Sequence, residues 1–296
     1  MKYTNKYGLP QSLVDVIIGG NYDLSKTDLD RIGITTLIDP PRPYLLKVRH
    51  WNELEEDVSN HIWRIGGSAY HYILAKTSQE DRLIETKLEE VVDGITIVGK
   101  LDLYDKILKS IEDYKLTSIW AVKFGNPEDY EPQLNSYSWL LRKKGYPTEK
   151  AFINALLKDW RRGESLKYDD YPPIPFKRIE VKLWMIEEQE QYVKDRVVGY
   201  KKARELTDEE LPLCTPEERW AKPDTFAIMK NQNKSATRVL ETSKEADSYL
   251  KYITSKDKRN SYRIEKREGG DDKCKGYCLA CTVCGYWKAN YERKKS

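Results

Sequence analysis

The chain has 296 residues, 39% of them hydrophobic, and its 51 Lys and Arg against 48 Asp and Glu leave a formal charge of +3. That is enough for one large domain, or for a core with a small appendage, with 21 Tyr and 8 Trp carrying much of the interior. The balance does not announce a nucleic-acid binder, so any groove for a polyanion must come from local clustering; no window reaches the roughly 18 apolar residues of a membrane span, and the first residues lack the apolar run of a signal peptide, which together predict a soluble, cytoplasmic protein.

Residues 1–30 are polar with short apolar pieces, Leu13–Ile18 among them, and a turn at Gly19–Asn21; they predict a peripheral helix or arm without chemistry. Ile34–Arg42 predicts a short helix capped by Ser or Thr. Over 51–76, Leu54, Val58, Ile62, Ile65, Ala69 and Ile73 recur at helical spacing and predict one helix. Gly66 and Gly67 inside it each cost about 1 kcal/mol against Ala, which points to close packing or a ligand. His71 lies one turn on; alone, a helical His is ordinarily a surface or core residue, and His50 and His61 are read that way. Leu83–Val92 reads as a helix or a strand edge, with Glu89 an acidic candidate whose stronger reading is a solvated face.

Two short strands with a turn between them are predicted over Ile95–Thr117. The first ends on Asp102; the second carries Asp113 and Lys115, which share a face because they are two apart, with Tyr114 on the other side. If the strands pair, Asp102 joins them. Two carboxylates and an ammonium suit Mg²⁺ or Mn²⁺ beside a held water, the set that metal-assisted phosphodiester hydrolysis requires. Taken alone, an acid-x-Lys triplet means little in a chain that is 33% charged, and it recurs at Glu85–Lys87, Glu180–Lys182, Asp271–Lys273 and Glu292–Lys294. Asp105 falls on the opposite face from Asp102 and reads as turn or surface.

Ile119–Phe124 is an apolar segment ending in a loop, followed by a helix from about Asp129 to Lys144 that stops at Gly145, with Pro132 in its first turn. Gln133 and Tyr137 share one face of that helix and can reach phosphate or base, while Leu134, Leu140 and Leu141 face inward. Ala151–Asp159 predicts a central strand. Trp160-Arg161-Arg162 after it is a DNA-contact signal, or a Trp lid over the core with solvated Arg. Tyr171–Pro175 is a stiff linker, Ile179–Met185 a strand and Glu187–Leu206 a long charged helix. Phe226–Met229 and Ala236–Leu240 bracket a turn, Thr242 and Glu245 form a capping box opening helix 243–254, and Ser261–Lys266 is another strand. Cys274, Cys278, Cys281 and Cys284 crowd together, which argues for a metal over disulfides, with thiolates suiting zinc or an iron–sulfur cluster.

In chain order, Gly-Ser-Ala-Tyr-His71, Gly99-Lys-Leu-Asp102, Asp113-Tyr-Lys115 and Gln133-Leu-Asn-Ser-Tyr137 resemble the RecB-like branch of the PD-(D/E)XK nucleases, whose pattern is His, Gly-x-x-Asp, Asp-x-Lys and Gln-x-x-x-Tyr. Several segments are most similar to bacteriophage-type members, and the resemblance covers roughly 34–200 well. It implies an α/β fold: a restriction-endonuclease-like mixed central sheet flanked by helices, with a small Cys-bearing C-terminal extension. It divides the chain into an arm and lead-in helix (1–50), a nuclease core (51–206) and a β-α extension (207–296). It makes Asp102, Asp113 and Lys115 catalytic. His71, Asp102, Asp113 and the Tyr114 carbonyl would hold Mg²⁺ or Mn²⁺, and Gln133, Tyr137, Arg161 and Arg162 would contact substrate. In the tail, the resemblance groups Cys274, Cys278 and Cys284 with Cys214, against a local set that uses Cys281 instead. Iron–sulfur members commonly carry a further Cys near the lead-in helix, and none occurs here before Cys214. The implied function is hydrolysis of single- or double-stranded DNA by an exonuclease or a recombination and end-processing nuclease, with a recombination or replication protein as further partner. The rivals are a catalytically silent nucleic-acid-binding module and a Cys-cluster scaffold that recruits such a partner.

Overall fold

A computed structural model describes residues 1–20, 23–77 and 79–292, in two units, Met1–Leu211 and Pro212–Ser296. The first unit begins with β1 (Lys2–Thr4), α1 (Gln11–Gly19), β2 (Arg31–Gly33), α2 (Ile34–Ile38), α3 (Pro41–Arg49), β3 (Glu55–Asp57) and α4 (Ile62–Ala75). It continues through β4 (Arg82–Val92), β5 (Ile95–Asp105), β6 (Ser110–Thr117), α5 (Ile119–Lys123), α6 (Glu131–Lys143), β7 (Lys150–Leu157), α7 (Arg162–Ser165), β8 (Phe176–Glu180) and α8 (Ile186–Arg204).

The sheet is organised by a two-residue turn. Asp93 and Gly94 take φ of +48° and +82°, the backbone that Asp-Gly supplies to a tight hairpin. The turn folds β4 back along the whole of β5, from Val92↔Ile95 out to Arg82↔Asp105. The other edge of β5 is shared. β2 pairs with it in parallel at Thr96–Val98, and β6 pairs with it antiparallel at Leu103–Asp105. Residues 99–102 lie between these two partners. The sheet then continues β6–β7 parallel and β7–β8 antiparallel. The result is a mixed sheet flanked by helices, an α/β fold.

Helix α6 lies over the gap. Leu134, Leu140 and Leu141 are buried, as their spacing predicts. A Cβ on Gly99 would meet Leu140 Cδ2, Ile34 Cδ1 and Tyr137 Cε1 at 2.7, 2.8 and 2.9 Å, so this close approach needs glycine. Asn135 in the same helix binds the carbonyls of Glu131 and Lys182 and accepts from Trp184 N and Gln189 Nε2. These bonds hold 181–185 in an irregular run, so the expected Ile179–Met185 strand is instead β8, which ends at Glu180.

Several expectations change. The single helix over 51–76 is a 3₁₀ turn, β3, a second 3₁₀ turn and then α4. Leu54 and Val58 are buried by other partners: β3 pairs in parallel with β1, and Val58 packs with Val14 and Ile17. Asp57 accepts from Ser59 N, Thr4 Oγ1 and Lys6 N, which breaks any helix passing through it. The expected arm is therefore part of the first unit's core, while Asn21 of its turn lies outside the described residues. Gly33, not Ser or Thr, precedes α2, without a side-chain cap. Leu83–Val92 is strand, Ile119–Phe124 contains a short helix capped by Ser118, and the division between units falls after Leu211. No helix among the described residues is long and apolar enough to cross a membrane.

The second unit contains β9 (Ala221–Lys222), β10 (Thr225–Lys230), β11 (Ala236–Leu240), α9 (Ser243–Lys256), β12 (Tyr262–Arg267), β13 (Gly270–Asp271), α10 (Asp272–Gly276) and α11 (Gly285–Trp287). Its main sheet runs β11–β10–β12, and α9 opens with the expected Thr242/Glu245 capping box. Among the described residues its buried apolar side chains are Ala227, Ile228, Met229, Ala246 and Ala280, a core dominated by alanine.

Candidate active site and cysteine site

The gap in the β5 edge is where the acidic residues gather. Pairing with β6 stops at Leu103↔Glu112. Beyond it, the Asp102 carboxylate takes the place of a ladder acceptor and receives Tyr114 N–H at 2.8 Å. Within the same stretch, Tyr137 Oη donates to the Lys100 carbonyl at 3.0 Å. The two backbone groups freed by the splayed strands are thus satisfied by side chains of the motif itself.

Asp113 is 5% exposed. Lys115 Nζ lies 2.9 Å from its Oδ2 and donates to Oδ1 at 3.2 Å. Gln133 Nε2 donates to the same Oδ1 at 2.8 Å, and Lys115 also donates to Gln133 Oε1 at 3.3 Å. Oδ2 is buried and has no directed hydrogen bond; the Lys115 ammonium is its ion-pair partner. From α4, His71 Nδ1 approaches Asp102 Oδ1 at 3.4 Å. Burial, and then the nearby Asp113 carboxylate, push Asp102 up to about 6, against the pull of Tyr114 N–H, His71 and Lys115. The cluster therefore carries more negative charge than it can stabilise alone.

One further carboxylate belongs here, which sequence reasoning set aside as part of a common Glu-x-Lys triplet. Glu85 Oε1 is 2.9 Å from His71 Nδ1, and its Oε2 is ion-paired with Lys100. Among the described residues, His71, Glu85 and Asp102 form a group whose donor atoms all lie within 4.8 Å of one another. Glu85 takes φ +49°, which costs a non-glycine residue about 1–3 kcal/mol. The ladder is interrupted there, opposite Asp102. The signal was present: counting outward from the Asp93-Gly94 turn places Glu85 across from Asp102. Glu89, by contrast, is held by Arg31 and Lys87, well along the strand.

Gln133 and Tyr137 point into the cluster. Tyr137 is 7% exposed, and burial followed by the Asp113 and Asp102 charges raises its hydroxyl. Its hydroxyl bond to the Lys100 carbonyl ties α6 to β5. The Tyr114 ring packs tilted at 46° against Tyr70, 5.9 Å between centroids, and its backbone is registered with Asn154 of β7. Arg161 and Arg162 are exposed where the chain leaves β7 and begins α7, Arg161 capping that short helix and Arg162 opening it. Trp160 Nε1 is tied to the Pro172 carbonyl at 2.8 Å. Asp105 is buried, not on the surface, and accepts Ile107 N and Leu108 N in the β5–β6 turn.

The donor set fits a hard divalent cation: one imidazole and two or three carboxylates, beside a lysine. No protein-family model matches the chain, and no curated protein matches it. One solved structure, the crystal structure of SSO0001, is similar over 64% of this chain and 85% of its own, at 17% identity and a TM-score of 0.42. A likeness that slight carries no argument about this chain.

The second unit gathers the cysteines. β9 pairs antiparallel with β13, and Lys273 N and Asp272 N bond the carbonyls of Arg219 and Trp220. This ladder brings the Cys214 segment beside α10. Arg219 donates to the Cys214 carbonyl and, at 3.1 Å, to Asp271 Oδ1. Asp271 also accepts from the hydroxyls of Tyr286 and Tyr291, both at 2.8 Å. Burial alone would raise Asp271, but these donors hold it below the usual carboxylate range. Burial, then Glu218, Cys278, Cys274 and Cys284, push the Cys214 thiol up to about 12. Cys274 is pushed to about 11 by burial, Cys278, Asp271 and Cys284. Cys281 is raised by burial and by Cys278 and Cys284. Cys278 and Cys284 act on the thiols of Cys214, Cys274 and Cys281 alike. No three of these sulfurs are among the donor groups within 4.8 Å, whereas sulfurs around one tetrahedral zinc sit roughly 3.8 Å apart.

Proposed function

We propose that this chain is a metal-dependent nuclease that hydrolyses DNA phosphodiester bonds, built on a restriction-endonuclease-like sheet of the RecB-like PD-(D/E)XK type. The observation that carries the reading is the convergence at one gap in β5 of Asp102, Asp113, Lys115, His71 and Gln133, from four separate elements. Asp113 is paired with Lys115 in this cluster, whereas Asp102 is held beside it without a paired lysine or arginine among the described residues and is raised to about 6 by burial and by Asp113.

His71, Glu85, Asp102 and Asp113 would hold Mg²⁺ or Mn²⁺, with the Tyr114 carbonyl as a further oxygen donor. When bound, such an ion supplies charge neutralisation and polarisation of the scissile phosphodiester. Lys115 Nζ would orient the attacking water by hydrogen bonding and stabilise the charge that develops on it as its proton passes to solvent. Gln133 fixes the orientation of both Asp113 and Lys115 by bonding each. Tyr137 keeps β5 at the spacing that leaves Asp102 facing them. In the second unit, Cys214, Cys274, Cys278 and Cys284 would bind a metal group that compensates for an alanine-dominated core. The group would be zinc or an iron–sulfur cluster, both of which thiolates suit.

The test is end-labelled single- and double-stranded DNA incubated with Mg²⁺, Mn²⁺ or EDTA. The reading expects shortened products with either metal and none with EDTA. Binding without cleavage in Mn²⁺ would favour the silent module.

A further inference from the structure

Helix α5 begins directly after the strand that carries Asp113 and Lys115, and it exposes aromatic rings where a core helix would bury them. Trp120 is 59% exposed and Phe124 is 73% exposed. Their rings stack at 5.6 Å between centroids with an interplanar angle of 2°. Ser118 caps the helix, and Asp159 clamps its start, accepting Ser118 Oγ and Ile119 N at 2.6 and 2.7 Å. The platform is therefore rigid at its base and bare on its face. By chain, it starts on the order of 10 Å from Lys115.

Its surroundings are aromatic and carry both charges. The α5 ridge has an open cleft on each side, each of about 480 Å³. One includes Trp120, Arg161, Tyr168 and Tyr171; the other includes Phe124, Pro173 and Lys177. Lys123 borders both, lies 5.9 Å from the Phe124 ring centroid and is paired with Asp170. The neighbouring ends of β6 and β7 are joined by Lys158 N to the Thr117 carbonyl. Lys158 Nζ sits 4.3 Å over the ring of Trp63, which is 65% exposed on α4. The acidic members of the cleft beside Trp120 are Asp159, which accepts from Ser118 and Ile119, and Glu164; those of the cleft beside Phe124 are Asp169 and Asp170, the latter paired with Lys123.

We propose that Trp120 and Phe124 form a stacking platform for the bases of an unpaired DNA strand approaching the Asp113–Lys115 site. The proposal rests on the nuclease reading for what the strand is delivered to. Unpaired bases present free π-faces that a flat aromatic pair can take, whatever their sequence, while a duplex keeps those faces stacked inside. Lysines over ring edges and faces add attraction for the phosphates between the bases. This makes α5 the element that selects single strands or frayed ends over intact duplex.

The test is anisotropy of labelled oligothymidylate, an abasic oligonucleotide of equal length and a blunt duplex, all in EDTA so that no turnover intervenes. The wild-type chain should bind oligothymidylate more tightly than the abasic strand. The double variant Trp120→Ala/Phe124→Ala should lose about 5- to 150-fold for each base that was stacked and should bind the abasic strand as before. Trp120→Leu/Phe124→Leu, which keeps apolar surface, should lose as much. Trp120→Phe, which keeps a ring, should retain most of the affinity. Equal wild-type affinity for the thymidylate and abasic strands would overturn the proposal. So would retention of affinity in the Leu variant, or loss of self-association in the Ala variant with no change in DNA binding, which would assign the patch to a protein contact. Stacking-dependent binding by a protein that never cleaves in Mn²⁺ would refute the nuclease reading and leave the platform standing.

Discussion

Replacing Asp102 by Asn should make the metal-free protein more stable while destroying its proposed chemistry. Asp102 is a nearly buried carboxylate, with 15% of its side chain exposed, and burial plus Asp113 raise it from 3.8 to about 6. Keeping it ionised at neutral pH therefore costs about 3 kcal/mol. The Asn side chain preserves an acceptor for Tyr114 N–H and removes the repulsion, but its amide hydrogens fit the site less well. A net gain of roughly 1–3 kcal/mol follows, or about 2–10 °C in the melting temperature of a unit this size. The sign follows from proton linkage. The native state holds this proton more tightly than the unfolded chain, so wild-type stability from this group falls as pH rises from about 4 to about 6. The advantage of Asn should be absent near pH 4 and complete above about 7. Thermal unfolding followed by circular dichroism in EDTA, for both proteins at both ends of that range, measures it. Destabilisation by Asn at neutral pH, or a difference that does not vary with pH, would refute the reasoning.

Lys115→Ala should slow the chemical step about 10²- to 10⁴-fold without changing metal affinity by calorimetry. Lys115→Arg should not rescue, because guanidinium is a planar fork that stays protonated; single-turnover rates within a few-fold of wild type would remove Lys115 from the mechanism. Glu85→Gln should weaken Mn²⁺ binding by about 10-fold or more in a calorimetric titration, and unchanged affinity would return Glu85 to an ordinary ion pair with Lys100. Purified, anaerobically prepared protein should contain zinc, or iron and sulfide, at the second unit's cysteines. Cys274→Ser or Cys278→Ser should lower thermal stability more than activity per folded molecule, and metal analysis finding neither element would contradict the site.

How much of this was legible in the chain differs from residue to residue. Asp102, Asp113 and Lys115 were readable because strand alternation and a short turn bring them together by local rules alone. Gln133 was readable as a face of α6, but its bond to Asp113 depends on how closely that helix lies over Gly99. Glu85 was missed because Glu-x-Lys is common here, although the Asp93-Gly94 turn fixes its partner. The helix expected over 51–76 failed where Leu54 and Val58 owe their burial to β1 and α1, contacts far away in sequence. The gathering of Cys214 with the tail cysteines depends on β9 and β13, two-residue strands too short to carry a pattern. Trp63, Trp120 and Phe124 were read as core-forming aromatics, and only their exposure marks them as a surface.

The most direct measurement is cleavage of end-labelled DNA in Mn²⁺ by the wild-type chain and by Asp113→Asn, with DNA affinity determined in parallel. Asp113 is buried at the centre of the cluster and holds both Lys115 and Gln133. The account predicts cleavage by the wild type and none by Asp113→Asn, which should bind DNA as tightly or more tightly because a carboxylate that repels phosphate is gone. Cleavage by Asp113→Asn at the wild-type rate, or a wild-type protein that leaves DNA intact in Mn²⁺, would contradict it.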